Sequence, residues 1–214
     1  PAMRFFYLSI TMCGISLLAG CAGPQPRPGA PAASARLTPP AIAATPVAAA
    51  RQPLLQALAR LAPDADRGVL ALALQARECA LRNGDADADA RLAVIDYSLP
   101  STHKRLWVFD LAEARLLFHE HVAHGQGSGE NVARRFSNVE GSYQTSLGLY
   151  RTAETYQGGN GYSLRMDGLD PGFNDAARRR AIVMHGAWYA DPDLIRARGR
   201  LGRSQGCPAL REEA

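Results

Sequence analysis

The stretch that most confines the fold is one that cannot contribute to it. Residues 22 to about 52 read AGPQPRPGAPAASARLTPPAIAATPVAAARQ and are dominated by Pro and Ala. Seven prolines fall between Pro24 and Pro46, and no Asp or Glu occurs before Asp64. Each proline removes a backbone donor and clashes with the preceding turn, so a helical ladder is not expected through such a run. Little in it can be buried. The reading is an extended, partly polyproline spacer. A folded domain must come from the remaining 160 or so residues, enough for one domain with a real core.

Before the spacer lies Met3 to Cys21, MRFFYLSITMCGISLLAGC. One positive charge at Arg4 precedes an apolar run, and small residues close it, which is the layout of a secretory signal. The run is about 16 residues, short of the roughly 20 that a spanning helix needs. Leu18-Ala19-Gly20-Cys21 resembles the bacterial lipobox, in which the cysteine is lipidated and becomes the mature N-terminus. By that likeness residues 1–21 form a lipoprotein-type signal, Cys21 is the lipidation site, and the membrane is a partner through the lipid anchor. Ala22 after the cysteine then implies outer-membrane sorting. An ordinary cleaved signal and an uncleaved anchor remain open. All three place the domain outside the cytoplasm, and the first places it in the periplasm.

From Pro53 the pattern changes. Leu54, Leu55, Leu58 and Leu61 recur at helical spacing, and Val69, Leu70, Leu72, Leu74, Cys79 and Leu81 do so again, with Gly84 as a stop. Residues 53–90 therefore read as a small helical preface ending in an acidic connector. After Ala90 the period shortens. LAVIDYSL, KRLWVFDL, RLLFHEHVAHG, LGLYRTAE, GYSLRMDG and AIVMHG read as short strands between turn residues. Residues 91–214 are expected to form a mostly β domain with a few short helices. The net charge of +4 comes without a basic run interleaved with aromatics, which argues against a nucleic-acid partner.

Two fragments of this domain carry chemistry: Ile182-Val183-Met184-His185-Gly186 and Gly202-Arg203-Ser204-Gln205-Gly206-Cys207-Pro208. A thiol nucleophile needs a base or a cation, because a free cysteine titrates near 8.5. A histidine ending a buried strand suits that task. The Gly206 and Cys207 amides are candidates for holding an oxyanion, and Ser204 for fixing the loop. One Cys and one His 22 residues apart are in themselves a weak signal.

The order of the motifs strengthens it. VIDYSLPSTHKRLWVFDL, VAHGQGSG, FSN, GSYQTSLGLY, AIVMHGAWY and GRSQGCPAL, spanning Leu92 to Leu210, resemble the murein L,D-transpeptidase catalytic family, in a lipoprotein-like subgroup. The resemblance implies a β-sandwich-like catalytic domain. It implies an enzyme in which Cys207 attacks a peptidoglycan stem peptide and His185 takes the thiol proton. The Gly186 carbonyl would orient the imidazole. A second stem peptide would resolve the thioester into a 3→3 cross-link; with water instead, the enzyme would be a carboxypeptidase or hydrolase. A wall-binding lipoprotein without catalysis is the remaining alternative. No cofactor is implied, and a monomer is expected. Two departures stand out. The family often has His where this chain has Gln205, and it usually continues with a helix and a strand where this chain has seven residues after Cys207, as a C-terminally truncated domain would.

The other candidates each have two readings. His119, His121 and His124 could share a metal, but the reading favours no metal, with His124 lining the substrate site or serving structure. Trp188 and Tyr189 line the acyl-donor groove or pack inside. Arg203 meets a stem-peptide carboxylate or a surface acid. Cys79 packs in the core or pairs with Cys207. The glycine-rich 125–129 stretch lacks the spacing and lysine of a phosphate loop.

Overall fold

A computed structural model describes residues 46–85 and 91–214. The signal-type segment, Cys21 and residues 22–45 lie outside the described residues.

Helix α1 (Pro46–Leu61) and helix α2 (Arg67–Asn83) form the preface. α1 begins seven residues before the expected boundary and carries Pro53 inside it. Tertiary contacts outweigh the proline: Arg51, in the unexpected first half, makes a bidentate pair with Glu78 on α2 at 2.7 and 3.0 Å, and Leu55 and Leu58 after it are buried. α2 starts on Asp66, whose carboxylate accepts from the Gly68 and Val69 amides at 2.7 and 3.0 Å. It ends on left-handed Gly84, the expected stop. Of the apolar residues expected inward on α2, Leu70 and Leu74 are buried, whereas Leu72 and Cys79 face solvent. The core placement of Cys79 is thus corrected. A 3.6-residue period cannot bury positions two apart on one narrow stripe.

The rest is mostly β. Strands β1 (Arg91–Ile95), β2 (Leu106–Asp110) and β3 (Arg115–Glu120) make an antiparallel sheet in that order. Its apolar face (Leu92, Val94, Trp107, Phe109) packs with the helix leucines into the main core. Strands β4 (Tyr150–Gly158), β5 (Gly161–Gly168), β6 (Val183–Gly186) and β7 (Ala209–Leu210) make the second sheet. Here β4–β5 and β5–β6 are antiparallel and β6–β7 is parallel. A parallel neighbour cannot follow through a tight turn. The crossover from β6 to β7 runs through a 3-10 turn (Trp188–Ala190) and helix α3 (Asp193–Arg198). The segment after β3 joins the two sheets: the Ala123 amide donates to Ala209 O at 2.8 Å, and Gly125 bridges Ser204. Two sheets with short helices and a helical preface are the architecture expected from the sequence.

Candidate active site

The register of β6 and β7 explains why two distant fragments meet. His185 pairs with Ala209 and Gly186 with Leu210, both in parallel. Cys207 lies two residues before β7, outside the strand, and the Val183 amide donates to its Sγ at 3.5 Å. Cys207 and His185 both line one cleft, of about 520 Å³.

His185 is nearly buried. Its Nδ1 lies 2.8 Å from Gly186 O. A carbonyl only accepts, so Nδ1 carries the proton and Nε2 keeps its lone pair. This is the tautomer a base requires. Nε2 faces the Tyr189 hydroxyl at 3.5 Å. Cys207 does not hydrogen-bond to His185 in this state. Its thiol donates to Ala181 O at 3.7 Å. Burial pushes its pKa up, and the Val183 amide and the Arg180 charge oppose that rise.

The Cys207 loop is held from within. Ser204 Oγ donates to Cys207 O at 2.6 Å and accepts the Gly206 amide at 3.0 Å. Gly206 sits at φ 126°, where a side chain would be strained, and a Cβ there would meet Gln144 O at 2.9 Å. Its carbonyl accepts from Thr145 Oγ1 at 3.1 Å. The Gly206 amide is thus spent on Ser204, which corrects the expectation that it points at an oxyanion. The Cys207 amide meets no acceptor among the described residues and stays available.

Three further expectations change. His124 does not line the cleft; it is fully buried. Arg105 Nη2 donates to its Nδ1 at 2.8 Å, so its Nε2–H faces Gly129 O at 3.4 Å. Burial first, then the Arg105 charge, pushes its pKa down to about 4. Its backbone does reach the site, because His124 O accepts the Ser204 amide at 3.0 Å. Trp188 is 64% exposed, and the groove wall is instead formed by Tyr189. The tight β6-to-turn connection points successive side chains apart. Arg203 does line the cleft, but its Nη1 donates to Glu130 at 2.7 Å and to Gly129 O at 3.1 Å. Its charge meets an acid of this chain. Gln205 is exposed on the cleft wall.

Cys79 and Cys207 are both free thiols, so the disulfide between them is not formed. The histidines also part ways. His119 stacks on Trp107 with its Nε2 3.1 Å from Asp64, and His121 faces Thr102 O at 3.3 Å.

Arg180 was not singled out in the sequence. It lines the cleft and sits in a run of three arginines at 178–180, all alike in type. Arg178 pairs with Asp167 and Glu154 on the surface, while Arg180 turns to the site. No periodicity in an irregular turn could have separated them. Thr145 was hidden in the same way, since its contacts join residues 61 apart.

A family model described as the L,D-transpeptidase catalytic domain matches residues 61–214. No curated protein and no solved structure matches the chain.

Proposed function

Since the chain belongs to the L,D-transpeptidase catalytic-domain family, we propose that it joins peptidoglycan stem peptides by 3→3 cross-links through a Cys207 thioester. The observation that carries this reading is that Cys207 and a base-competent His185 line one cleft. In the acylation step the thiol turns from Ala181 O to His185 Nε2 and gives up its proton there. The sulfur attacks the carbonyl of the stem peptide, and the Cys207 amide donates to the resulting oxyanion. The imidazolium returns the proton to the leaving amine, the C–N bond breaks, and the thioester remains. The amine of a second stem peptide then loses a proton to Nε2, attacks the thioester, and releases the thiol. Gly186 O holds the ring so that Nε2, not Nδ1, does this work. Ser204 holds the loop that carries the sulfur.

On the same reading, a lipid on Cys21 tethers the domain in the periplasm; the mass of the mature N-terminus tests that, and a free Cys21 thiol would exclude it.

Intact mass after incubation with a carbapenem tests the catalytic claim. A single covalent adduct is expected, absent from Cys207→Ala and slowed at least about a hundredfold in His185→Ala. A folded wild-type protein that forms no adduct would sink the reading. Muropeptide products then decide the acceptor: a cross-linked dimer supports transpeptidation, and a trimmed tripeptide alone would make the enzyme a carboxypeptidase.

A further inference from the structure

The resting site poses a question that the dyad leaves open. His185 Nε2 is turned to the Tyr189 hydroxyl and the Cys207 thiol to Ala181 O, so the two are uncoupled. The thiol is half-buried, and burial disfavours its anion.

Arg180 has properties that offset this. Its guanidinium lines the same cleft as Cys207. It lies against the nucleophile loop, since a Cβ on Gly206, the residue before Cys207, would sit 3.5 Å from its Nη2. Its donors go to uncharged acceptors: Nη1 to Ser137 O at 2.7 Å and to Ser146 Oγ, Nη2 to Gln144 O at 2.6 Å and to Ser142 Oγ at 3.2 Å. No carboxylate is ion-paired with it among the described residues; the titratable groups that act on it besides Cys207 are Tyr150 and, from the cleft wall, Glu140, while Tyr189 faces the thiol side. Arg203, on the same wall, contrasts with it, being paired with Glu130. A guanidinium held by four neutral oxygens keeps its charge, and an anion nearby in a poorly solvated site feels it strongly. The four acceptors also belong to one segment, residues 137–146, which contributes Glu140, Gly141 and Tyr143 to the cleft. A single side chain thus joins the wall of the cleft to the loop of the nucleophile.

We propose that Arg180 is a positioning residue with two separable tasks: its charge stabilises the Cys207 thiolate, and its hydrogen bonds staple the 137–146 wall over the substrate cleft. This rests on Cys207 being the nucleophile. It assigns the acidity of the resting thiol to Arg180 and leaves proton transfer during acylation to His185. As pH rises in the free enzyme the thiol proton passes to water and the anion forms beside the guanidinium; below that midpoint Cys207 remains a thiol, hydrogen-bonded to Ala181 O, and gives its proton to His185 during acylation. The opposing effects of burial and of the Arg180 charge on the thiol agree with this division.

The test is the pH dependence of Cys207 alkylation by iodoacetamide, read by peptide mass in the full chain. Alkylation needs no acyl transfer, so it reports on Arg180 even if the carbapenem adduct fails to form. In Arg180→Gln the midpoint should rise by about one pH unit, slowing alkylation about tenfold below it. Arg180→Lys should keep the midpoint near that of wild type, because the charge stays. Lys cannot span four acceptors, so the same variant should raise KM for the stem peptide more than it lowers kcat. His185→Ala should move the midpoint less than Arg180→Gln does. The proposal is overturned if Arg180→Gln, shown folded by circular dichroism, alkylates with the wild-type profile. It is equally overturned if His185→Ala gives the larger shift, or if Lys and Gln shift the midpoint alike.

Discussion

Under the helical hairpin, Leu55, Leu58, Leu70 and Leu74 close over Val94, Trp107 and Phe109 in one apolar core. Around Cys207 the apolar clusters are small and alanine-rich: Ala123, Ala187, Ala190, Leu201 and Ala209 in one, Met166, Ala177 and Ile182 in another. What fixes the loops there is polar and buried, namely Arg105, His124, Ser128, Thr145 and Ser204. The first region is held by area removed from water, which is non-directional and tolerant of shape. The second is held by directional bonds whose loss leaves a partner unsatisfied. The role proposed for Cys207 needs the second kind, because catalysis depends on where a few atoms sit.

Substitution at the centre of each region should separate the two. Arg105→Met leaves Leu99 O, Val122 O and His124 Nδ1 without their donor. The cost should be on the order of 3–5 kcal/mol by urea unfolding. Leu58→Ala, at a fully buried site, should cost about 3 kcal/mol through lost transfer energy and a cavity. The site should tell them apart. In native buffer the Leu58 variant should acylate with a carbapenem at close to the wild-type rate, while the Arg105 variant slows. Equal slowing in both would mean that the helical half also sets the geometry of the loop, and the contrast would fail.

The same contrast decides what was legible in the sequence. Leucines at helical spacing and alternating strand residues announced the apolar region, because burial leaves a periodic trace. The start of α1 was missed because the Arg51–Glu78 pair, which a local pattern does not show, holds it. That Cys207 and His185 share one cleft was legible through the motifs around them. The partners of these residues were not. Arg180, Thr145 and the inward Gly206 amide depend on contacts between residues far apart in the chain, and one polar side chain has no period. His124 shows both sides of this. The motif marked it as near the site, yet its ring faces Arg105 and only its backbone touches the loop of Ser204 and Cys207.

His124 also lets pH probe the polar region alone. Its pKa in the folded protein is about 4, below the ordinary value of 6.5. The unfolded chain thus binds the extra proton first as pH falls. The stabilisation is fully present above about 6.5, declines as pH drops, and is gone below about 4. The total is at most about 3 kcal/mol. Urea unfolding between pH 7 and 4 should show this slope in wild type and a flatter one in His124→Gln, whose amide can still accept from Arg105. Equal slopes would assign the acid sensitivity to other groups.

The smallest expected effect tests the outer edge of the apolar region. Cys79 lies on α2 among residues with an apolar pattern, yet it faces solvent, and its sulfur's contact with Asn83 Nδ2 is long at 3.9 Å. A serine there removes no buried surface and no strong hydrogen bond. Cys79→Ser should shift unfolding by no more than about 0.5 kcal/mol. Because neither thiol is bridged, it should also leave the carbapenem adduct at Cys207 unchanged under oxidising conditions. A loss of several kcal/mol would place Cys79 inside the helical core after all. An adduct that oxidation blocks in wild type but not in Cys79→Ser would mean that the two thiols meet, tying the helical half to the Cys207 loop.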